Sequence, residues 1–436
     1  MFGLSKFGDG IGLHRVARFM DTHGIDRAEL ARRSIAVTGT NGKGSTARFL
    51  TSALGTAGLR VGCFTSPHLF DVRERFTIGS DMISQDALDR HAATVAAFNA
   101  TLPEGDHIGA FEFLFLTALL WFREERPDAI VWEAGIGGRY DPIRTVRANI
   151  SVLTSIELEH TELLGSTEEL IAYDKVDAAA PGACVVLSPS IPTHLSVRLA
   201  AFAGLSDKTL LPALEGRRLG AVLNDAGGAH FTYGPASDAP EADQPVMLRL
   251  AGRHQVDNAV TALRAAEVWL DQQATPRSAS REAMLGALGE TTWPGRLQQV
   301  AMKPDLWIDV GHTPCAVDAV TRTFLEFTPR ERTLVVFGVS GSKEVAAIAR
   351  TVAGRFDHFI LTRAFKAGAA TDQFEDIFRA IASDVTVAAD TVEAARLARA
   401  RAARDGLTIL AVGGLFLAAE IQRAWEGGDP REIDFL

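Results

Sequence analysis

The run Gly39-Thr40-Asn41-Gly42-Lys43-Gly44-Ser45-Thr46 follows the apolar segment Ser34-Ile35-Ala36-Val37-Thr38 and opens a helical stretch. Glycines in such a loop let backbone N–H groups turn inward on a phosphate, and the helix N-terminus adds the positive end of its dipole. Lys43 is spaced to reach the β- and γ-phosphates of a nucleotide, with Ser45 or Thr46 beside them. The strict P-loop pattern needs Gly at position 37 and Ser or Thr at 44, where this chain has Val37 and Gly44. The generic pattern therefore fails while the strand–loop–helix context holds. The plainer reading is a glycine-rich turn that carries an exposed lysine.

Further polar residues stand at the ends of apolar runs. Ser66 follows Arg60–Thr65, Glu133 ends Ala129–Glu133, and His160 comes shortly after Ile150–Ser155. The oxygens of Ser66 and Glu133, at strand ends beside a phosphate loop, suit magnesium, a hard cation, and His160 stands at a third such position. Taken singly, each has a plainer role: Ser66 as a helix N-cap before Pro67, His160 as a satisfied polar residue near a helix start, Lys175 as a solvated helix lysine. Asn258 and Arg296 singly read as a helix cap and a surface pairing.

The elements that must position these residues alternate. A helix from Ile11 to His23, a polar break and a short helix precede the strand Ser34–Thr38. A second helix begins near Ser45, a strand covers Arg60–Thr65, and a long apolar helix covers Phe111–Arg123. Alternating strands and helices predict βαβ units and a largely parallel sheet. Between 184 and 250 the apolar segments are short (Ala221-Val222-Leu223, Phe231-Thr232-Tyr233, Val246-Met247-Leu248) and separated by Gly- and Pro-rich turns, including the loop Gly234 to Gln244. These predict antiparallel strands appended to the first sheet. From Leu306 the alternation restarts, with strands at Leu306–Val310, Thr333–Gly338, His358–Thr362, Val385–Ala389 and Thr408–Val412. A proline and a glycine in Trp293-Pro294-Gly295-Arg296-Leu297 mark the boundary, dividing the chain into 1–297 and 298–436.

The chain has 436 residues, enough for two or three domains at roughly 100–200 residues each. Its 47% hydrophobic and 22% charged residues supply a sizeable core and argue against wholesale disorder. The net charge of −10 opposes the footprint of a duplex-binding protein, so no nucleic-acid partner is expected. Cys63, Cys184 and Cys315 are odd in number and in no metal-like spacing, as in a cytoplasmic protein with reduced thiols. The N-terminus lacks the long apolar stretch of a signal peptide. The most lipid-like stretch, Ile108 to Phe122, carries Glu112 and is too short to span a bilayer, so no membrane partner is expected.

Gly-Thr-Asn-Gly-Lys-Gly-Ser resembles the phosphate loop of the Mur ligase superfamily, ATP-dependent amide ligases. Within it the chain is similar to the folylpolyglutamate synthase and dihydrofolate synthase family, in motif order over nearly its whole length. Phe64-Thr65-Ser66-Pro67-His68-Leu69 resembles the family's Thr-Ser-Pro-His-Leu, and Glu133-Ala134-Gly135-Ile136-Gly137-Gly138-Arg139 its Glu-x-Gly-x-Gly-Gly-Arg. Thr154-Ser155-Ile156-Glu157-Leu158-Glu159-His160-Thr161 is similar to Thr-Ser-Ile-x-x-Asp-His-Thr, followed by Asp174-Lys175. His254-Gln255 with Asn258-Ala259, Pro294-Gly295-Arg296, and Asp309 with His312 complete the series.

The resemblance implies a P-loop Mur-ligase-like central α/β domain with appended antiparallel strands, plus a smaller C-terminal Rossmann-like α/β domain, with ATP in the cleft between them. It implies that Ser66, Glu133 and His160 hold magnesium on the ATP phosphates. Lys175, carbamylated, becomes a carboxylate-like ligand for a second magnesium. Asn258 and Arg296 contact the adenine side, Asp309 reaches in from the second domain, and His312 lies near the phosphates. Lys43, Glu133, His160, Lys175 and His312 carry the chemistry. Gly10, Ile11, Gly12, Phe111, Glu112, Tyr140 and Asp141 face the acceptor. The expected substrates are ATP, L-glutamate and dihydropteroate or a folate, and the expected assembly a monomer.

Three places depart from the family, one of them Val412-Gly413-Gly414-Leu415, where Thr-Gly-Ser-Leu is common. Asp309-Val310-Gly311-His312-Thr313-Pro314 stands where Asp-Gly-Ala-His-Asn-Pro is usual, and Tyr140-Asp141-Pro142-Ile143-Arg144 where Leu-Asp-Ala-Thr-Asn is usual. Acceptor-side drift with intact nucleotide equipment leaves a ligase for a different carboxylate as an alternative. An ATP-binding regulator without turnover is a second alternative, from another class.

Overall fold

The computed structural model describes residues 8–205, 207–237, 239, 243–273, 279–341 and 344–435. Its first sheet has eight strands. In spatial order they are Asp81–Met82, Phe76–Ile78, Val61–Phe64, Ala129–Glu133, Ser34–Thr38, Ile150–Leu153, Cys184–Leu187 and Thr209–Pro212. The first two are antiparallel and the other six run parallel.

Burial on both faces explains the apolar strands. Ser34–Thr38 and Ala129–Glu133 are buried at every position. Alternation sends Ile35 and Val37 to one face, where they pack with Phe49 and Leu50 of helix Lys43–Gly55 and with Val260 and Leu263 of helix Arg253–Asp271. Ala36, Phe64 and Trp132 turn to the other face, against Phe115 and Phe122 of helix Ala110–Glu125.

The expected antiparallel strands exist but do not extend the first sheet. Arg217–Leu219, Leu223–Asp225, Gly228–Pro235 and Gln244–Leu248 form a four-stranded sheet of their own. Cys184–Leu187 and Thr209–Pro212, from the region read as β-rich appendage, are instead parallel strands of the first sheet. Ala221 and Val222 lie outside any strand. In the loop 234–244, residues 238 and 240–242 lie outside the described residues.

All five strands expected after Leu306 form, in a six-stranded sheet ordered Gln298–Met302, Asp305–Ile308, Thr408–Val412, Thr333–Phe337, His358–Leu361, Asp384–Val387. Gln298–Met302, antiparallel at the edge, has no alternation strong enough to reveal it in sequence. Val335, Phe337, Leu410 and Val412 pack on one face, and Leu334, Val336, Ile409 and Ala411 on the other. Among the described residues no helix is long and apolar enough to cross a membrane. The three cysteines are free thiols.

Candidate active site

Strand register gathers the sequence motifs at one edge. Val37 pairs with Glu133, Thr38 with Leu153, and Phe64 with Trp132. The phosphate loop, Ser66, Glu133 and the segment from Thr154 to His160 therefore all leave the carboxyl ends of neighbouring parallel strands, where open α/β sheets bind ligands.

The phosphate loop needs its glycines. Gly42, at φ +84°, caps helix Lys43–Gly55, and a Cβ there would stand 2.4 Å from Asn258 Oδ1. A Cβ on Gly39, at φ +139°, would stand 1.9 Å from Thr154 Oγ1. The loop is tied to the next strand's exit: Asn41 N donates to Ser155 Oγ at 2.8 Å, and Thr154 Oγ1 donates to the Asn41 carbonyl at 2.6 Å. Lys43 Nζ folds back to donate to the carbonyls of Gly39 and Thr40, 2.9 Å each. Ser45 Oγ and Thr46 Oγ1 are buried and have no hydrogen-bond partner.

Glu133 is buried beside that helix start, its carboxylate oxygens 3.4 and 3.5 Å from where a Cβ on Gly44 would stand. Ser66 N donates to Glu133 Oε2 at 2.9 Å. Burial pushes the Glu133 carboxyl up to about 7, against the pull of the Lys43 charge, the Ser66 N–H, and the charges of Arg296 and Arg75. The loop holding Ser66 is itself braced. Arg75 Nε donates to His68 Nδ1 at 2.9 Å, so the imidazole proton sits on Nε2, which donates to the Asp434 carbonyl at 2.8 Å.

Lys175 is fully buried and donates to Glu159 Oε1 at 2.9 Å. Burial pushes this lysine down to about 8. His160 starts the short helix Thr161–Leu164 in the left-handed region, at φ +46°. Asp174 turns away from this group: its Oδ1 accepts from Gly138 N at 2.8 Å and Arg139 N at 3.3 Å, which holds the Gly-Gly-Arg turn.

Just after strand Asp305–Ile308 of the six-stranded sheet, Asp309 is buried, with Oδ2 accepting from Leu297 N at 2.8 Å and Oδ1 from Gly311 N at 2.6 Å. Burial raises its carboxyl, and the neighbouring Arg296 charge opposes the rise. Arg296 is depressed by burial, with the charges of Asp309 and Glu133 working the other way. Asn258, against Gly42, sits beside the phosphate loop. His312 Nδ1 donates to the Val310 carbonyl at 3.2 Å.

Among the residues expected to face the acceptor, Gly10 and Gly12 both meet the buried Arg15. Its Nη2 donates to the Gly10 carbonyl at 2.5 Å and to Glu112 Oε1 and Oε2 at 3.3 and 3.2 Å. Glu112 thus has a guanidinium partner and also accepts from Gly109 N, while burial raises its carboxyl. The Phe111 ring lies against Gly135, 2.9 Å from where a Cβ would stand. Ile11 and Tyr140 are exposed. Asp141 is buried and accepts from the backbone amides of Gly135, Ile136 and Ile143 at 2.8–3.0 Å. Both its oxygens are engaged in shaping the loop after Glu133.

Four residues here escaped the sequence reading: Glu157, Glu159, Arg15 and Arg75. Glu159 could have been found, because it stands at the Asp of Asp-His-Thr. Nothing local marks Glu157 and Arg15, whose partners Thr313 and Glu112 lie far along the chain, and Arg75 meets His68 only through the fold of the intervening loop.

Among the described residues, no three His, Cys, Asp or Glu side chains are gathered as a ready-made metal site. Magnesium on a nucleotide takes few protein ligands, the rest being phosphate and water. The buried Glu133 carboxylate, against Gly44 and the Ser66 backbone, is a hard oxygen donor that fits such an ion, and the unpartnered hydroxyls of Ser45 and Thr46 follow in the same helix turn.

Residues 295–415 match the family described as Mur ligase, glutamate ligase domain. The chain is 30% identical over 356 residues to the dihydrofolate synthase/folylpolyglutamate synthase of Bacillus subtilis, covering 78% of each. It is 32% identical over 405 residues to a probable bifunctional folylpolyglutamate synthase/dihydropteroate synthase of Halobacterium salinarum. That alignment takes in 90% of this chain, which spans about half, 47%, of the relative's length. The solved Mycobacterium tuberculosis folylpolyglutamate synthase complexed with ADP superposes with a TM-score of 0.84 at 26% identity, covering 98% of this chain and 96% of that one. With the nucleotide loop, the strand-end carboxylate and the second α/β sheet in place, the chain belongs to the folylpolyglutamate synthase/dihydrofolate synthase family of the Mur ligase superfamily.

Proposed function

We propose that the protein is an ATP-dependent, ADP-forming amide ligase that joins L-glutamate to the carboxylate of dihydropteroate or of a reduced folate. The observation that carries this reading is the pair of buried, unpartnered hydroxyls of Ser45 and Thr46 in the first turn of helix Lys43–Gly55, with the buried Glu133 carboxylate against Gly44 of the same turn. A buried polar atom without a partner costs about 1–3 kcal/mol, and a phosphate-bound ion or phosphate oxygen offsets that cost. The ADP complex of the Mycobacterium relative supports the nucleotide assignment.

In this reaction the acceptor carboxylate attacks the γ-phosphorus, ADP leaves and an acyl phosphate forms. The glutamate amino group then attacks the acyl carbon and inorganic phosphate departs. Lys43 exchanges the carbonyls of Gly39 and Thr40 for phosphate oxygens, and the phosphate-loop N–H groups hold the β-phosphate. Ser66, Glu133 and His160 are assigned to hold magnesium, which neutralises charge spreading over the transferred phosphoryl group. Asn258 and Arg296 are assigned to the adenine side of the nucleotide, Asp309 reaches in from the second unit, His312 is assigned to the phosphates, and Phe111, Tyr140 and the Gly10–Gly12 turn face the acceptor.

We further assign Lys175 as a carbamate. Its neutral amine adds carbon dioxide and releases one proton, and the depression of this lysine to about 8 raises the neutral fraction near pH 7. A carbamate beside Glu159 places two negative charges in a buried site, which suits a second magnesium. The chain is assigned domains at 1–297 and 298–436, a cytoplasmic location and a monomeric state.

The deciding experiment is ADP release with ATP, magnesium and L-glutamate, comparing dihydropteroate, tetrahydrofolate and no acceptor, with products identified by mass. Release that requires an acceptor, with a product heavier by one glutamyl unit, is the expected result. Silence with both acceptors, from protein that binds ATP, would assign the drift at Tyr140-Asp141-Pro142 to a different carboxylate. ATP binding without turnover on any acid would favour a regulator.

A further inference from the structure

Glu157 has no role in the ligase reading, yet it sits where the phosphate loop meets the second α/β unit. Its Oε1 accepts from the Asn41 side-chain amide at 2.7 Å, and its Oε2 accepts from the Thr313 hydroxyl at 3.2 Å. Asn41 Nδ2 also donates to Thr313 Oγ1 at 3.1 Å, closing a ring of three hydrogen bonds. Each corner comes from a different element. Asn41 is in the phosphate loop, Glu157 follows strand Ile150–Leu153, and Thr313 caps helix Pro314–Leu325 of the second unit.

The donor count leaves one arrangement. A threonine hydroxyl has one proton and two lone pairs. Thr313 Oγ1 accepts from Ala316 N at 3.2 Å and from Asn41, so its proton goes to Glu157. Both amide protons of Asn41 are spent within the ring. The ring therefore needs an acceptor-only group at position 157, which a carboxylate is. Thr313 is also one of the positions where the chain departs from its family's motif, and the residue found there supplies the proton that Glu157 takes.

We propose that Glu157 is a positioning residue that latches the second unit onto the phosphate loop and preassembles the nucleotide pocket before ATP arrives. Asp309 and His312, on the same strand-to-helix turn as Thr313, are carried to the pocket by the same latch. A pocket assembled in only a fraction of molecules binds its ligand more weakly by that fraction. The backbone of Glu157 is tied separately to the loop, with Glu157 N donating to Thr40 Oγ1 at 3.1 Å. Side-chain variants thus lose the ring and keep the segment in place.

The inference rests on the ATP-site reading for its consequence but not for its geometry, and the test separates the two. Small-angle scattering of the full ligand-free chain is measured for the native protein and for Glu157→Ala, Thr313→Val and Thr313→Ser. A non-hydrolysable ATP analogue is titrated into each by calorimetry. Glu157→Ala and Thr313→Val are expected to enlarge the ligand-free radius and to weaken analogue binding about tenfold, the worth of a hydrogen bond to a charged group. In turnover the loss falls on KM for ATP rather than on kcat. The double variant is expected to be no worse than either single, and Thr313→Ser, which keeps the hydroxyl, to behave as native.

An unchanged radius in both Glu157→Ala and Thr313→Val overturns the latch. So do fully additive losses, or a fall in melting temperature alone with radius and affinity intact. Failure of the native protein to bind the analogue would instead sink the ATP reading, leaving the scattering to decide the latch by itself.

Discussion

The Lys175 ammonium donates to Glu159 Oε1 at 2.9 Å inside the protein, with 1% of the lysine side chain exposed. The carboxylate is held down at about 2: burial alone would raise it, and the charges of Lys175 and Lys43 outweigh that. Removing one member of a buried pair leaves the other charge uncompensated, at roughly 3–5 kcal/mol. With carbon dioxide excluded, so that Lys175 is the ammonium that pairs with Glu159, Lys175→Met is therefore expected to lower stability by about 3 kcal/mol in urea unfolding, and with carbon dioxide present to cut acceptor-dependent ADP release by at least about 100-fold. Adding Glu159→Gln restores most of the stability and none of the turnover. A carbamate resonance from protein equilibrated with carbon-13-labelled carbon dioxide, absent in Lys175→Met, checks the modification.

Gly42→Ala tests the phosphate loop. The backbone is left-handed there, and the new Cβ meets Asn258 Oδ1 at 2.4 Å. A non-glycine residue in this region costs about 1–2 kcal/mol. The expected outcome is a stability loss of that size with a rise of at least about tenfold in KM for ATP, since the strained atoms are the ones that cradle phosphate. Unchanged ATP affinity would mean the loop does not hold the nucleotide.

Asp141 separates a loop clamp from a substrate contact. Its carboxylate accepts three backbone N–H bonds, from Gly135, Ile136 and Ile143. Asp141→Ala strands those donors and is expected to destabilise the protein by about 2–4 kcal/mol, whereas Asp141→Asn, which keeps one acceptor oxygen, costs about 1–2 kcal/mol. Acceptor KM should worsen in the same order. A large KM effect in Asp141→Asn with native stability would return Asp141 to direct substrate contact.

His68 predicts an acid sensitivity. Burial, and then the Arg75 charge, push its imidazole down to about 4 from an ordinary 6.5. The unfolded chain binds a proton at His68 between those values and the folded one does not, so the stabilisation is fully present above 6.5 and is lost as pH falls toward 4. Unfolding free energy measured at pH 7.5 and at pH 5 should differ by on the order of 1–2 kcal/mol from this residue. His68→Asn, which offers one donor and one acceptor but does not titrate, should flatten that difference.

Much of the site was legible in the chain because its signals are local. A strand running into Gly39–Thr46 and then a helix is specified by side-chain period and by glycines at 39 and 42 that tolerate positive φ. Ser66 and Glu133 were readable as strand-end residues because their strands are continuously apolar. The strands Phe76–Ile78, Asp81–Met82 and Gln298–Met302, at or next to sheet edges, were not, being short or weakly alternating, and the antiparallel strands after 217 revealed their existence but not which sheet they join.

What the amino-acid order determined by itself is thus most of the buried strands and helices, the phosphate loop and the family's motif series. The tertiary structure alone decided that Ala129–Glu133 lies beside Ser34–Thr38, which puts Glu133 against Gly44. It also decided that Asp141 and Asp174 spend their carboxylates on backbone amides, and that Glu157 meets Thr313 across 156 positions of chain. The physical reason is that period and turn chemistry act over a few residues. Strand order, burial and the pairing of distant polar groups depend on how whole surfaces pack, and no local pattern encodes that.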